Sequence, residues 1–294
     1  MNKLTYNNKF KDRTPEETIK IIEDYFTSLG CELKLSLNLK TVANTWCCHL
    51  GLYYNDDLLT TSNGKGTSEI FSKASAYAEL YERFCNRMFY FCNAPLMNRI
   101  MDISKYKYGY ALHPKEKKLT FEEALLSSAA GRILYDGLEK DNKVRNYFYT
   151  IYRNEFIGIP FHKSHSEEIK YFDPRIITFL SGSTGMSAGN TFYEAYVQGV
   201  SEMYEHYVTS LYYIDKQDVY YAINLKSITN PKLQEIIEKI QEDNTLYIID
   251  FSYNYNVPVL CAIVVNKITH AVSVNLGAAP VFDIACERVL TELH

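Results

Sequence analysis

Hydrophobic and polar positions follow two periods along this chain, and they predict both helices and strands. Thr14-Pro15-Glu16-Glu17 has the pattern of an N-cap, an N1 proline and an N3 glutamate, and apolar residues at helical spacing follow until Gly30. Residues 31–39 then alternate apolar with polar side chains, which is the period of a half-buried strand. The beginning of the chain therefore predicts an amphipathic helix followed by a strand.

The same periods predict the other elements. Helices are expected at 69–92, 121–131, 192–213 and 232–241. Strands are expected at 46–54, 58–61, 144–151, 155–160, 246–250 and 257–265, with a turn at 62–66 and a small-residue loop at 181–190. Residues 282–294 have helical spacing but no Gly or Asn cap, which is expected of a fragment truncated from a longer chain. Because helices and strands interleave without strict βαβ alternation, we predict a mixed α+β fold and a single domain over residues 1–294.

Composition excludes several classes of protein. With 294 residues, 47% of them hydrophobic, the chain can bury a sizeable core, which excludes a disordered or fibrous protein. A net charge of −4 and a pI near 6.0 provide no basic field for nucleic acid. No stretch is long and apolar enough for a signal peptide or a membrane helix, so a cytoplasmic location is expected. The seven cysteines contain no CxxC motif, which argues against a zinc ribbon.

Two segments match when the sequence is shifted by 123 positions. Gly64-Lys65-Gly66 then falls on Ser187-Ala188-Gly189, and the helical run 78–84 falls on 201–207 with its two glutamates in register. Each segment, about 62–92 and 185–213, is a small-residue loop followed by a long helix that carries Glu-x-x-Glu. The chain is therefore predicted to contain a pseudo-symmetric pair of loop–helix repeats.

Both predicted helices carry a polar stripe. One face of the first holds Ser75, Glu79 and Glu82, and one face of the second holds Glu194, Gln198, Glu202 and Glu205. The remaining positions are apolar enough for both helices to be largely buried, so that the stripes face the inside of the protein. Glutamates on solvated helices usually pair with nearby Lys or Arg, but neither occurs between Arg175 and Lys216. Clustered buried carboxylates need cations, and Mg²⁺ that also holds phosphate oxygens is a natural partner.

The loops before these helices favour a phosphate-binding role. Gly64-Lys65-Gly66 and the segment 181–185 could present backbone N–H groups to phosphates, although neither fits the P-loop pattern GxxxxGK[ST]. Either loop alone is more typical of an ordinary turn. Their position directly before two carboxylate helices instead predicts a nucleotide–metal site of another kind.

These segments resemble the signatures of a known family. Ser75-Ala-Tyr-Ala-Glu79-Leu-Tyr-Glu82-Arg83 resembles the YcaO signature SxxxExxER, and residues 190–205 resemble its second signature, NxxxExxxQxxxExxE. Residues 285–292 are similar to the family's third ATP-site segment, and residues 63–66 fit its turn before the first helix. The resemblance implies a YcaO-like fold and an enzyme that uses ATP and Mg²⁺ to activate a backbone amide oxygen of a peptide or protein. The product would be an azoline, a thioamide or a related backbone modification.

The resemblance also implies two sets of site residues. The Mg²⁺ site would consist of Glu79, Glu82, Glu202 and Glu205, with Glu194 supporting them. The ATP site would include Lys11, Thr18, Ser75, Arg83, Asn190, Gln198, His206 and Arg288. No catalytic residue is assigned. The family further implies a homodimer and a partner protein that delivers substrate or sulfur.

Departures from the family pattern leave alternatives open. His206 stands where the family usually has Arg, which removes a permanent positive charge near the phosphates. The Pro-rich C-terminal tail of azoline-forming members is absent from this sequence, as expected either of a truncated chain or of another branch. The second explanation favours the branch that resembles the bacterial accessory factor for methylthiolation of a ribosomal protein. One alternative is a non-catalytic ATP-binding or partner-docking protein with the same fold. Another is a metal-dependent hydrolase that uses the glutamates without a nucleotide.

Overall fold

The computed structural model describes residues 11–41, 43–86, 115, 117–151, 156–162, 166–214, 220–253 and 255–293. Its helices are α1 (Pro15–Ser28), α2 (Glu69–Cys85), α3 (Phe121–Leu126), α4 (Ala129–Leu138), α5 (Asn142–Ile151), α6 (Pro174–Ser181), α7 (Phe192–Ile214), α8 (Pro231–Asp243) and α9 (Phe282–Thr291). Its strands are β1 (Glu32–Lys40), β2 (Trp46–Tyr54), β3 (Asp57–Gly66), β4 (Lys117–Leu119), β5 (Phe156–His162), β6 (Ile169–Phe172), β7 (Tyr221–Ala222), β8 (Asn244–Asp250), β9 (Val259–Asn266) and β10 (Val272–Ala278). The described strands form antiparallel sheets in the orders β1-β2-β3, β4-β5-β6 and β10-β9-β8-β7, so the predicted α+β class is confirmed.

Local sequence explains where two helices begin. The Thr14 hydroxyl accepts a hydrogen bond of 3.2 Å from the Glu17 N–H, and the Glu17 carboxylate accepts one of 2.8 Å from the Thr14 N–H. The predicted capping box at the start of α1 is therefore present. Helix α8 begins in a similar way, since the Asn230 side chain accepts from the Lys232 N–H at 3.0 Å. Both helices begin with proline, whose missing N–H would have no partner there.

The chain divides into two compact units. The main unit comprises residues 1–82 and 184–294, and the inserted unit comprises residues 83–183. The core of the inserted unit includes Phe121, Leu125, Phe148 and Phe156. The interpretation of residues 1–294 as a single domain stays a prediction.

The main unit contains one order of elements twice. The series α1-β1-β2-β3-α2 and α8-β8-β9-β10-α9 each consist of a helix, an antiparallel meander of three strands and a second helix. Strand β9 begins 213 positions after β2, and α9 begins 213 positions after α2. Helix α7 begins 123 positions after α2, as the repeat in the sequence predicts. Each of the helices α2, α7 and α9, taken together with the strand or loop directly before it, is called a loop–helix repeat. The repeat at α2 is the first, that at α7 the second and that at α9 the third.

The junction between loop and helix is alike in the three repeats. A residue just before each helix accepts a backbone hydrogen bond from the helix, and the three bonds are Ser72 N–H to Ser68 O at 3.0 Å, Ala195 N–H to Thr191 O at 3.2 Å and Ala285 N–H to Val281 O at 3.0 Å. These donors and acceptors occupy positions related by the shifts of 123 and 213. Equivalent residues of the three repeats can therefore be compared directly.

Glycines allow the loops to approach these helices closely. A Cβ on Gly66 would lie 2.7 Å from the Ser72 nitrogen, and one on the equivalent Gly189 would lie 2.4 Å from the Ala195 nitrogen. Real Cβ atoms do not approach other heavy atoms within 3.0 Å, so any larger residue would force the backbones apart. The glycines directly before α2 and α7 are thus needed for packing, independently of any role in binding phosphate.

Several predicted elements differ from the structure. The predicted turn at 62–66 is wrong because β3 continues through Gly66, which pairs with Trp46 of β2. Strand β10 and helix α6 were not predicted. The predicted helix at 121–131 is interrupted, since Ser128 caps α4 by accepting from the Gly131 N–H at 3.0 Å. Residues 87–92 of the predicted helix at 69–92 lie outside the described residues.

The predicted strand at 144–151 is also wrong, because helix α5 covers these residues. Their aromatic and β-branched side chains are typical of strands. The Asp141 carboxylate, however, accepts hydrogen bonds from the Lys143 N–H at 2.8 Å and the Val144 N–H at 3.2 Å, which caps a helix. Phe148 is then buried in the core of the inserted unit. Capping and packing override strand propensity here.

Candidate functional site

Helix α7 turns its carboxylates inward. The Glu194 side chain is only 7% exposed, and Gln198, Glu202 and Glu205 are half-buried. In contrast, Phe192 is 63% exposed and Met203 is 57% exposed. The prediction that the polar stripe faces the inside is confirmed for α7, but the prediction that its apolar residues are largely buried is wrong.

Small residues explain this orientation of α7. Gly199 and Ser201 are both buried along the helix. A Cβ on Gly199 would lie 2.7 Å from the Gly185 oxygen, so the preceding loop packs directly against the helix backbone. The Ser187 hydroxyl also donates to the Ala195 oxygen at 2.6 Å. The side of α7 that packs against the protein is therefore its small and polar side.

Glu194 lies at the centre of a group of residues joined by hydrogen bonds and one ion pair. We call this group the Glu194 cluster, and its members are Lys11, Asp12, Thr18, Asn190 and Glu194. The Asn190 backbone N–H and side-chain Nδ2 donate to Glu194 Oε2 at 2.9 and 3.1 Å, and the Asp12 backbone N–H donates to Oε1. Lys11 Nζ lies 3.9 Å from Oε2. Thr18 donates its hydroxyl to Asn190 Oδ1 at 2.8 Å. The fold thus brings together four residues that the sequence assigned to the ATP and metal sites.

These contacts show what offsets the buried negative charge of Glu194. It has no basic partner on its own helix, but Lys11 comes from the segment that precedes α1. Both Glu194 oxygens already accept N–H groups, which reduces the number of lone pairs that could bind a metal ion.

A second contact joins equivalent residues of two repeats. Arg288 Nη1 donates to Gln198 Oε1 at 2.9 Å. Both residues occupy the position of Ser75 in the first repeat. The second and third repeats therefore meet through side chains at equivalent positions. One helical turn further along, the equivalent residues are Glu79, Glu202 and Glu292.

Glu205 is held close to the third repeat. Its Oε2 accepts from the Ala278 N–H at 2.9 Å, at the end of β10. Burial raises the pKa of Glu205, and the positive charge of Arg288 and the Ala278 N–H oppose this rise. Burial therefore outweighs the available positive charge, and a cation at this carboxylate would stabilise its ionised form.

The third repeat supplies a carboxylate that was not predicted as a site residue. Glu292 Oε2 lies 3.7 Å from Lys65 Nζ. Nearby, Thr67 donates to Glu287 at 3.4 Å, and burial raises the pKa of the Glu287 carboxyl. The signal for Glu292 was the shift of 213, which aligns Gly64 with Gly277 and Glu79 with Glu292.

The other predicted residues have the following positions. Ser75, Glu79, Glu82 and Arg83 are half-buried along α2, and His206 is exposed on α7. Among the described residues, no three His, Cys, Asp or Glu side chains come close enough to hold a metal ion by themselves. Mg²⁺ in nucleotide sites usually takes only one or two protein carboxylates and obtains its other oxygens from phosphates and water.

Comparison with protein families yields a match over most of the chain. The family model described as YcaO cyclodehydratase, ATP- and Mg²⁺-binding, matches residues 63–294. An uncharacterized protein of Haemophilus influenzae is 30% identical over 297 residues, which cover 96% of this chain and 48% of that protein. The ribosomal protein S12 methylthiotransferase accessory factor YcaO of Escherichia coli is 28% identical over 302 residues, with the same coverage of 96% and 48%. The chain thus spans about half the length of these relatives.

Solved structures share the fold. A heterocyclase in complex with substrate and cofactor has a TM-score of 0.63 at 18% identity, over 98% of this chain and 40% of the heterocyclase. YcaO from Methanopyrus kandleri bound with AMPPCP and Mg²⁺ has a TM-score of 0.61 at 16% identity, over 100% of this chain and 70% of that protein. In the described part of this chain, the helices are too short or too polar to cross a membrane. The predicted fold is confirmed, the predicted cofactors ATP and Mg²⁺ are those of the matching family, and this chain belongs to the YcaO family.

Proposed function

We propose that this chain binds ATP and Mg²⁺ where its three loop–helix repeats converge, and that it uses ATP to activate a backbone amide oxygen of a peptide or protein. The observation that carries the proposal is the contact of Arg288 with Gln198, at equivalent positions of two repeats. Glu202 and Glu292 follow one turn later on their helices, and Glu79 occupies the same position on α2. The permanent cation of Arg288 and the carboxylates one turn later on the repeats together provide the two kinds of group that hold a metal–triphosphate complex.

In this proposal the repeats have complementary roles. One or two of the carboxylates of Glu79, Glu82, Glu202, Glu205 and Glu292 would hold Mg²⁺, whose other ligands would be phosphate oxygens and water. Arg288, Arg83, Ser75, Gln198 and His206 would contact the phosphates. Lys11, Thr18 and Asn190 would reach the nucleotide from the Glu194 cluster. We assign Glu194 a supporting role, because its oxygens are occupied by N–H donors.

The chemistry follows from these charges. Bound ATP would supply the phosphoryl group that converts the amide oxygen into a leaving group. Arg288 keeps its charge at any physiological pH, so it can neutralise charge that develops on the phosphates during transfer. The oxygen would then leave as phosphate after a nucleophile adds to the amide carbon. A substrate side chain as nucleophile would produce an azoline, and sulfide would produce a thioamide.

Calorimetric titration of ATP, with and without Mg²⁺, tests the proposed site. The variant Glu79→Gln/Glu202→Gln removes one carboxylate from each of two repeats while keeping similar size. Its matched control is Glu238→Gln, on the exposed face of α8. We expect wild type and control to bind ATP only with Mg²⁺, and the double variant to bind at least about ten-fold more weakly. Failure of folded wild type to bind, or equal binding by the double variant, would refute the proposal.

An accessory role without catalysis is the second candidate. It is favoured by His206, which stands on α7 at the position equivalent to Arg83, and by the accessory-factor name of the E. coli relative. The two candidates are separated by ATP hydrolysis in the presence of peptides. Stimulated release of phosphate supports the enzyme, whereas ATP binding without turnover supports the accessory role. Peptide substrate, partner protein, homodimer and cytoplasmic location remain predictions.

A further inference from the structure

We propose that Asp12 is a positioning residue that anchors the segment before α1 to the N-terminus of α7 and thereby holds Lys11 at the nucleotide site. This inference rests on the proposed function, since it concerns how that site is assembled. Asp12 would not touch the nucleotide. It would act through Thr191 and Glu194 on the ammonium group of Lys11.

Asp12 makes two contacts with the start of α7. Its carboxylate Oδ2 accepts a hydrogen bond of 2.6 Å from the Thr191 hydroxyl. Its backbone N–H donates to Glu194 Oε1, one helical turn further on. Because both the side chain and the backbone of Asp12 are bound, its neighbour Lys11 has little freedom to move away.

The N-terminus of α7 is a favourable place for the Asp12 carboxylate. A helix N-terminus carries partial positive charge, and α7 extends over 23 residues. Thr191 also caps this helix, since its hydroxyl oxygen accepts from the Glu194 N–H at 3.3 Å. The Thr191 hydroxyl therefore donates a hydrogen bond to Asp12 and accepts one from the helix. The segment before α1 is thus attached to α7 through a polar group at the helix start.

The anchored position leaves Lys11 available for a ligand. The Lys11 side chain is 49% exposed, whereas the Glu194 side chain beside it is 7% exposed. At 3.9 Å, the Lys11 ammonium is near Glu194 but is not fixed by a short hydrogen bond. It can therefore turn toward an anionic ligand while Asp12 keeps its backbone in place.

Two measurements on the full chain test the inference. The first is the rate of tryptic cleavage after Lys11 and Arg13 without nucleotide, divided for each variant by the rate for a peptide of the same local sequence, so that the ratio reports whether the segment is anchored. The second is the Kd of ATP in the presence of Mg²⁺. The variants are Asp12→Ala, Lys11→Met and the two combined. Asp24→Ala is the matched control, because Asp24 is an exposed acid on α1 whose carboxylate lies 3.2 Å from Lys20 Nζ.

We expect Asp12→Ala to accelerate cleavage and to raise the Kd about ten-fold, the size of a lost charge-assisted hydrogen bond. Adding Lys11→Met to Asp12→Ala should raise the Kd little further, because Asp12 acts through Lys11. Asp24→Ala should leave both measurements unchanged. Thr191→Ser, which keeps the hydroxyl donor and the helix cap, should behave as wild type, whereas Thr191→Val should resemble Asp12→Ala.

Two outcomes would overturn this inference alone. Faster cleavage of Asp12→Ala with an unchanged Kd would mean that the anchor is purely structural. Independent, additive losses in the combined variant would mean that Asp12 does not act through Lys11. If wild type itself binds no ATP, the proposed function fails together with the inference. A wild-type titration without binding heat identifies that case.

Discussion

Replacing Gly64 by serine tests how closely strand β3 must approach helix α2. A Cβ at Gly64 would lie 1.9 Å from the Ser72 oxygen, 2.4 Å from the Ala76 nitrogen and 2.8 Å from the Ala76 Cβ. None of these atoms can move away by a change of rotamer, so the strand and helix must separate. Overpacking of a core typically costs about 1–3 kcal/mol, and we expect Gly64→Ser to lie at the upper end of that range.

The second repeat shows how the same junction accommodates a serine. Ser187 occupies the position of Gly64, and Gly199 occupies the position of Ala76. The Ser187 hydroxyl donates to the Ala195 oxygen at 2.6 Å, and a Cβ on Gly199 would lie 2.9 Å from this hydroxyl. The larger residue on the loop is thus matched by the smaller residue on the helix. The double variant Gly64→Ser/Ala76→Gly copies this arrangement into the first repeat.

Urea unfolding of the full chain measures the coupling. Ala76→Gly alone should cost about 1 kcal/mol, the usual difference between Ala and Gly within a helix. Additive losses in the double variant would then be about 4 kcal/mol, whereas the compensation should reduce the loss to about 2 kcal/mol. Wild-type stability of Gly64→Ser, or full additivity in the double variant, would refute the reasoning. Gly137→Ala is the control, because a Cβ there meets no atom within 4 Å, and it should stabilise α4 by about 0.5 kcal/mol.

Three further changes test other parts of the chain. Burial raises the pKa of the Glu287 carboxyl. The contribution of Glu287 to stability is therefore present below the unfolded pKa and falls as the pH rises through the folded pKa. Glu287→Gln should raise the melting temperature at about pH 8 and not at about pH 4. Asp141→Ala should lower the free energy of unfolding by about 1 kcal/mol through loss of the α5 cap, and the exposed Asp136→Ala should not. His206→Arg should tighten ATP binding about ten-fold in calorimetry, and an unchanged Kd would contradict its proposed place near the phosphates.

The repeat between α2 and α7 could be predicted because its signal is dense and local. Glu79 and Glu82 align with Glu202 and Glu205 without a gap, and a small-residue loop precedes both helices. The copy at α9 has fewer matching residues, although Gly64 aligns with Gly277 and Leu80 with Leu293. Its recognition needed the matching order of strands and helices, because backbone geometry is retained at positions where side chains differ.

Burial along α7 shows a limit of periodicity. The pattern separates a polar face from an apolar face, but it does not state which of them packs against the protein. A general preference for buried apolar residues led to the wrong prediction for Phe192 and Met203. The structure shows that α7 packs closely against Gly185 at Gly199, and that contact depends on the conformation of the loop.

By itself, the sequence determined the features that depend on neighbouring residues. The capping box at Thr14, the start of α7 after Thr191 and the alignment of glutamates along one helix face all follow from short-range geometry. Only the tertiary structure decided which of these residues meet. Asp12 and Glu194 are 182 positions apart, and Gln198 and Arg288 are 90 apart. Hydrogen bonds over such separations leave no periodic trace in the sequence, because chain folding alone sets the distance between the partners.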